Sequence, residues 1–219
     1  MRWFPITRGG RIRACLLLAV LVAEVVLVAR PVAVWLAYTP QEGDVVFQSL
    51  PGGSDLVETI EGATHSPFSH CGAVVRQDGR WMVIEAIGNV HYTPLFLWIA
   101  RGRGSHLAVY RLRPEHRANI PAMRAGMERL LGKPYDYRYE LDDNSIYCSE
   151  LVYKGWQAAT GKPLGRLVKL GDLDWQPYRA VIGYYDGSSP DHLPLDRLMI
   201  TPRDLALAPE LERVFNFGF

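Results

Sequence analysis

Two short segments constrain this chain more than anything else in it: SHCGAVV (Ser69 to Val75) and YCSELVY (Tyr147 to Tyr153). The first sets a histidine at the mouth of an apolar, β-branched run, which favours a strand. The second sets a cysteine where a helix should begin. Asn144 and Ser145 are good N-cap residues, and Tyr147, Leu151, Val152 and Trp156 recur at helical spacing up to Gly161, Lys162 and Pro163. The spacing puts Cys148 in the first turn, where unpaired N–H groups and the helix dipole stabilise a thiolate. Such settings lower a thiol pKa from about 8.5 to roughly 3.5–7.5. The same N–H groups can bind an oxyanion. A cysteine there is also readily explained as core packing.

The histidine supplies what a nucleophile needs. Residues 70–75 alternate into a strand, Gln77-Asp78-Gly79-Arg80 reads as a turn, and WMVIEA (Trp81 to Ala86) reads as the returning strand. A pairing centred between Gln77 and Asp78 sets His70 opposite Glu85; a slipped register or a bulge would change the partner. A carboxylate across from an imidazole fixes its tautomer and stabilises the imidazolium. With Cys148 the constellation reads cysteine, histidine, carboxylate.

Other reactive or charged residues lie near these three in the sequence. Cys71 neighbours His70 but points to the opposite face of the strand, which favours core packing over reactivity. His65 and Ser69 bracket a loop rich in Thr, Ser and Pro, where His65 either contacts substrate or is simply exposed, and Tyr135 in GKPYD either packs the helix entry, the commoner role, or leans over the thiolate. A zinc site from His65, His70 and a cysteine lacks the paired short spacings of structural sites, so no metal or other cofactor is expected. Arg101, Arg103, Arg111 and Arg113 cluster between and within predicted strands and suit a solvated sheet edge as well as an anionic ligand. The loops at 49–69 and 88–103 are expected to define the substrate pocket.

In order along the chain, GDVVFQ (Gly43 to Gln48), THSPFSHCGAVV (Thr64 to Val75), VIEA (Val83 to Ala86), GKPYD (Gly132 to Asp136), YCSELVY and ITPRDLALAPEL (Ile200 to Leu211) resemble segments of a known family. It is that of the permuted papain-like cysteine hydrolases, YiiX/YebB-like relatives of the NlpC-type cell-wall peptidases. Papain-like enzymes run cysteine, histidine, polar residue, whereas here histidine and glutamate precede cysteine, as in a circular permutation. The resemblance implies Cys148 as nucleophile, His70 as base and Glu85 as the orienting third residue. It implies a thiol peptidase or amidase acting through a thioester, with envelope peptides such as those of peptidoglycan as substrate. Kinship with the lecithin:retinol acyltransferase group implies a lipid acyl hydrolase or acyltransferase as the alternative. A non-catalytic envelope binding module is the reading from a different class.

The first forty residues bear on location. Arg2, Arg8, Arg11 and Arg13 precede ACLLLAVLVAEVVLVA (Ala14 to Ala29), a basic then apolar pattern that reads as an export signal or membrane anchor. Extension through Pro31 to Tyr38 reaches the roughly twenty residues a spanning helix needs. No small-x-small pair with clean flanks precedes Tyr38, which favours an uncleaved anchor and places the rest of the chain outside the cytoplasm. Up to Thr39 there are five arginines and one glutamate; beyond it, nineteen basic and twenty-two acidic residues. That mildly acidic remainder has no basic stripe for nucleic acid.

The expected organisation is therefore an anchor over 1–39 and one hydrolase domain over 40–219. The fold class is α+β, a circularly permuted papain-like arrangement of a central antiparallel sheet with flanking helices. Strands are expected at 44–48, 70–76, 80–86 and 106–112, helices near 118–131 and 145–160, late strands around Leu167 and Val181, and a short helix or turn after Pro202. Of three cysteines, Cys15 lies in the anchor; only Cys71 and Cys148 are left to pair, and a nucleophilic Cys148 argues against it.

Overall fold

The computed structural model describes residues 28–219. The proposed anchor core and its basic flank lie largely outside them. Among the described residues no helix is long and apolar enough to cross a membrane. A helix, α1, covers residues 28–37 of the described part. Val34 within it and Tyr38 just after it are buried in an apolar cluster with Val46, Val74, Val83, Leu107 and Val109. The stretch that the sequence offered as an extension of a spanning helix is thus engaged on the protein itself.

The chain forms a mixed α+β fold around a six-stranded antiparallel sheet in the order β4-β3-β2-β1-β5-β8. In chain order the strands and helices are β1 (Val45–Gln48), α2 (Asp55–Thr64), β2 (His70–Gln77), β3 (Arg80–Ile87), β4 (Asn89–Pro94), α3 (Leu95–Arg101), β5 (Leu107–Leu112), α4 (Ile120–Glu128) and α5 (Cys148–Thr160). There follow β6 (Val168–Lys169), α6 (Arg179–Asp186), β7 (Leu198–Met199), α7 (Pro202–Ala206) and β8 (Leu211–Phe217), with β6 and β7 forming a separate two-stranded ribbon.

Both faces of the sheet are covered, which is why β1 and most of β2 are apolar throughout rather than alternating. Val45, Phe47, Cys71, Ala73, Ile84 and Ala86 face one core with Leu151 and Val152 of α5. Val46, Val74, Val83 and Val109 face the other, closed by Leu95, Trp98 and Ile99 of α3. Helix α5 lies against α4 at close range because both carry glycine at the crossing. A Cβ on Gly155 would stand 2.5 Å from Met127 Cγ, and one on Gly126 would stand 2.9 Å from Ala158 Cβ.

The β2–β3 hairpin turns at Asp78-Gly79, both at positive φ (48° and 75°), as a two-residue hairpin loop requires. Its centre lies one residue later than the sequence reading placed it. Gly72, not His70, therefore faces Glu85 across the ladder. The slip amounts to two positions along one strand, so every side chain keeps its face, and His70 meets Glu85 as a diagonal neighbour.

Other departures have local causes. Residues 88–103, read as a loop, contain β4 and α3. Val181, read as strand, lies in α6, and of the late strands only β6 beside Leu167 forms. Strand β8 after α7 was not expected; it closes the sheet against β5.

Candidate active site

Helix α5 begins at Cys148, with Tyr147 rather than Asn144 or Ser145 as its N-cap. The helix start is fixed from two directions. Glu150 in the first turn accepts the Tyr147 backbone N–H at 3.1 Å. The Tyr147 hydroxyl accepts from Ile200 N at 3.0 Å, and Ser149 Oγ donates to Ile200 O at 2.7 Å. These bonds tie the first turn to the segment entering α7, part of the tail motif. Cys148 is the first helical residue, so its backbone N–H is among those a helix leaves without an internal partner.

His70, first residue of β2, is 2% exposed and sits between Cys148 and Glu85. Its Nε2 lies 2.5 Å from Glu85 Oε2, and its side chain is within hydrogen-bonding range of Cys148. Burial alone would lower the His70 pKa, but the bonds with Cys148 and then Glu85 outweigh it and raise the value to about 9. The Cys148 thiol is held well below its ordinary value, first by a hydrogen bond with Cys71, against burial, and then by His70. Both shifts favour the proton on His70 over Cys148.

Glu85 is fully buried and accepts from four residues. Besides His70, Thr93 Oγ1 donates to Oε1 at 2.5 Å and Trp98 Nε1 to Oε2 at 3.1 Å. Arg101 clamps both oxygens, Nη1 to Oε1 at 3.1 Å and Nη2 to Oε2 at 2.6 Å. Burial would raise its pKa; His70 and then Arg101 hold it far below the usual carboxylate range. A buried carboxylate with this many charge-assisted donors is a fixed anion.

Three of the expected site residues, Cys148, His70 and Glu85, thus stand together. Ser69 and Tyr135 join them as walls, with His70, of a groove of 230 Å³ that also touches Leu50, Ile87 and Tyr185. Ser69 is buried and its Oγ accepts from Leu50 N at 2.9 Å, while the Tyr135 hydroxyl lies 3.3 Å from that of Tyr139. His65 goes elsewhere. It caps the C-terminus of α2 in a left-handed conformation and faces Asp174 at 3.4 Å.

Two features were not seen from sequence. Arg101, taken as part of a sheet edge, comes from the end of α3 and pairs with Glu85; Arg103, Arg111 and Arg113 likewise face carboxylates, Glu61, Asp44 and Glu212. Cys71 is buried on the face opposite His70, as expected of it, but that face is where α5 packs, so Cys71 lies against Cys148. Beside the groove, and sharing Leu56, Ile60, Tyr137 and Tyr185 with it, is an apolar pocket lined by Leu170, Leu173, Ile182 and Met199.

The sequence matches the family described as permuted papain-like amidase enzymes, YaeF/YiiX, C92, over residues 39–215. It is 34% identical over 182 residues to the uncharacterized protein YiiX of Escherichia coli (strain K12), covering 81% of this chain and 87% of that one. The structure resembles the crystal structure of the metalloprotein YiiX from Escherichia coli O157:H7, with a TM-score of 0.72 and 33% identity. That match covers 82% of this chain and 99% of the other.

Proposed function

The chain belongs to the permuted papain-like amidase family, and on that premise we propose that it is a cysteine hydrolase cleaving an amide or related acyl bond through a thioester on Cys148. The observation that carries this is His70, buried between Cys148 and an ionised Glu85 at the wall of a groove.

In the proposed reaction the Cys148 thiolate attacks the acyl carbon. The negative charge moves onto the acyl oxygen, where the N–H groups of the α5 first turn favour it. His70 gives its proton to the departing amine as the carbon–nitrogen bond breaks, leaving the thioester. Neutral His70 then takes a proton from water, whose oxygen displaces the thiolate and restores the ion pair. Glu85 keeps the ring oriented and the imidazolium stabilised, and Arg101 positions Glu85. Ser69 and Tyr135 contact substrate from the groove walls; the position of His65 gives it no part.

The YiiX structure is described as that of a metalloprotein. The donors here do not fit a resident ion: His70 Nε2 is engaged with Glu85, and among the described residues no group of three His, Cys, Asp or Glu side chains, the Cys148–His70–Glu85 set included, is arranged to hold one. No step is routed through a metal.

The leading substrate is a peptide of the cell envelope, reached from a domain tethered outside the cytoplasm. The basic-then-apolar N-terminus supports that location. A second reading is favoured by the apolar pocket joined to the groove, which suits a fatty acyl chain. One experiment separates them: incubate the protein with envelope extracts and measure the adduct on Cys148 by mass spectrometry. A peptidyl adduct supports the first reading and a fatty acyl adduct the second. A Cys148→Ala variant should lose both adduct and turnover, and turnover that survives it would overturn the proposal.

A further inference from the structure

Cys71 and Cys148 are both buried, at 0% and 1% exposure, and both are free thiols. They belong to one apolar cluster, Cys71 projecting from β2 toward the helix that Cys148 opens. The Cys71 side chain and backbone both lie within hydrogen-bonding range of the Cys148 sulfur. The two thiols are neighbours across a packed strand and helix, and a disulfide joins such neighbours where their Cα atoms come within about 4.4–6.8 Å. We propose that Cys71 is a resolving cysteine for Cys148, so that a hydroperoxide converts the pair to a reversible disulfide that blocks and protects the nucleophile.

The chemistry balances in two steps. With hydrogen peroxide the Cys148 thiolate attacks one oxygen, the O–O bond breaks, and the second oxygen leaves as water with the proton of the His70 imidazolium; Cys148 is oxidised to a sulfenic acid. Cys71 sulfur then attacks Cys148 sulfur, the S–O bond breaks, and the Cys71 proton leaves with the hydroxyl as a second water. His70 stands beside Cys148 to relay that proton. Overall two thiols and one peroxide give one disulfide and two waters.

The two thiols differ in the way the sequence of events needs. His70 and Cys71 hold the Cys148 thiol well below its ordinary value, whereas burial and the adjacent Cys148 push the Cys71 thiol up. Cys148 therefore meets the oxidant first, and Cys71 responds to the sulfenic acid. The inference goes beyond hydrolysis and is read without turnover.

The test treats reduced full-length protein with equimolar hydrogen peroxide, then follows intact mass, peptide maps and iodoacetamide labelling before and after dithiothreitol. The expected result is a mass lower by two hydrogens, a peptide joining Cys71 to Cys148, and full return of Cys148 labelling on reduction. Cys71→Ala, with its fold checked by circular dichroism, should instead advance to the sulfinic acid and lose that recovery. Should Cys71→Ala not fold, the wild-type peptide map alone decides. Cys148 carrying two oxygens while Cys71 still alkylates, or a cross-link through Cys15 instead, overturns the proposal. So does recovery in Cys71→Ala equal to wild type.

Discussion

Replacing Glu85 with glutamine removes one charge from the centre of the site with almost no change in volume. Glu85 accepts from His70, Thr93, Trp98 and twice from Arg101. Glutamine can keep its oxygen toward His70, Trp98 and Arg101 Nη2 and turn its amide toward Thr93, whose hydroxyl can accept instead, while the bond from Arg101 Nη1 is lost. Ring orientation survives, but the imidazolium loses its counter-charge. A hydrogen bond to a charged group contributes about 1.5–3 kcal/mol, which at about 1.4 kcal/mol per factor of ten corresponds to roughly tenfold to hundredfold less ion pair. The assay is the second-order rate of iodoacetamide labelling at Cys148 as a function of pH. At about pH 6, where a free thiol is mostly protonated, Glu85→Gln should label about ten to a hundred times more slowly than wild type. Above the His70 value of about 9 the two rates should converge, because Cys148 is then a thiolate in both. Glu85 also confers stability in the sense of its lowered pKa: fully present above the ordinary carboxylate range and lost as pH falls. The variant should be less stable at neutral pH and less sensitive to acid. Equal rates at about pH 6, in a folded variant, would refute the assignment of Glu85 to His70.

Two further outcomes are expected. Arg101→Met leaves Glu85 buried with only His70 at 2.5 Å and His91 at 4.0 Å facing it; breaking such a pair should cost about 3 kcal/mol in urea unfolding, the lower end of the usual range because Arg101 is 28% exposed. Its acid unfolding should begin at higher pH than wild type, since the Glu85 carboxyl is then less strongly held ionised. A reporter fused after Phe219 should be active outside the cytoplasm with the protein retained on membranes; a cytoplasmic, soluble product would remove both the tether and the envelope substrate.

Local signals made the core of the site legible, while contacts between distant elements were not. The β2–β3 hairpin and the start of α5 each depend on residues adjacent in sequence: the Asp78-Gly79 turn, the β-branched run before it, and the apolar spacing from Tyr147 to Trp156. Glu85 was found even with the register misplaced, because a slip of two positions preserves the face of every side chain. Cys71 shows the opposite case. Its face was assigned correctly, yet what covers that face is α5, which no nearby residue announces. Arg101 was hidden for a similar reason: α3 is only seven residues long, and its role appears when its last turn meets β3. Val181 and Ile182 carry strand propensity, but α6 is held as a helix by its setting against α2 and the apolar pocket.

The reversal of chain order relative to papain-like enzymes is of little physical consequence here. The relation of His70 to Glu85 rests on the β2–β3 ladder, and that of Cys148 to His70 rests on α5 lying against β2. The close approach of α5 to α4 needs Gly155 and Gly126. The position of the helix start along its axis is set by Tyr147 and Ser149 bonding Ile200, more than fifty residues on in sequence. None of these contacts requires that histidine follow cysteine in the chain. Moving the chain ends to another loop changes the order in which the parts are synthesised but leaves the strand, the helix and their contact intact. The segment 200–211 therefore matters to the nucleophile although it holds no reacting atom. Its tie to the first turn fixes where the backbone N–H of Cys148 lies, and an oxyanion donor acts only when it is held within hydrogen-bond distance of the developing charge.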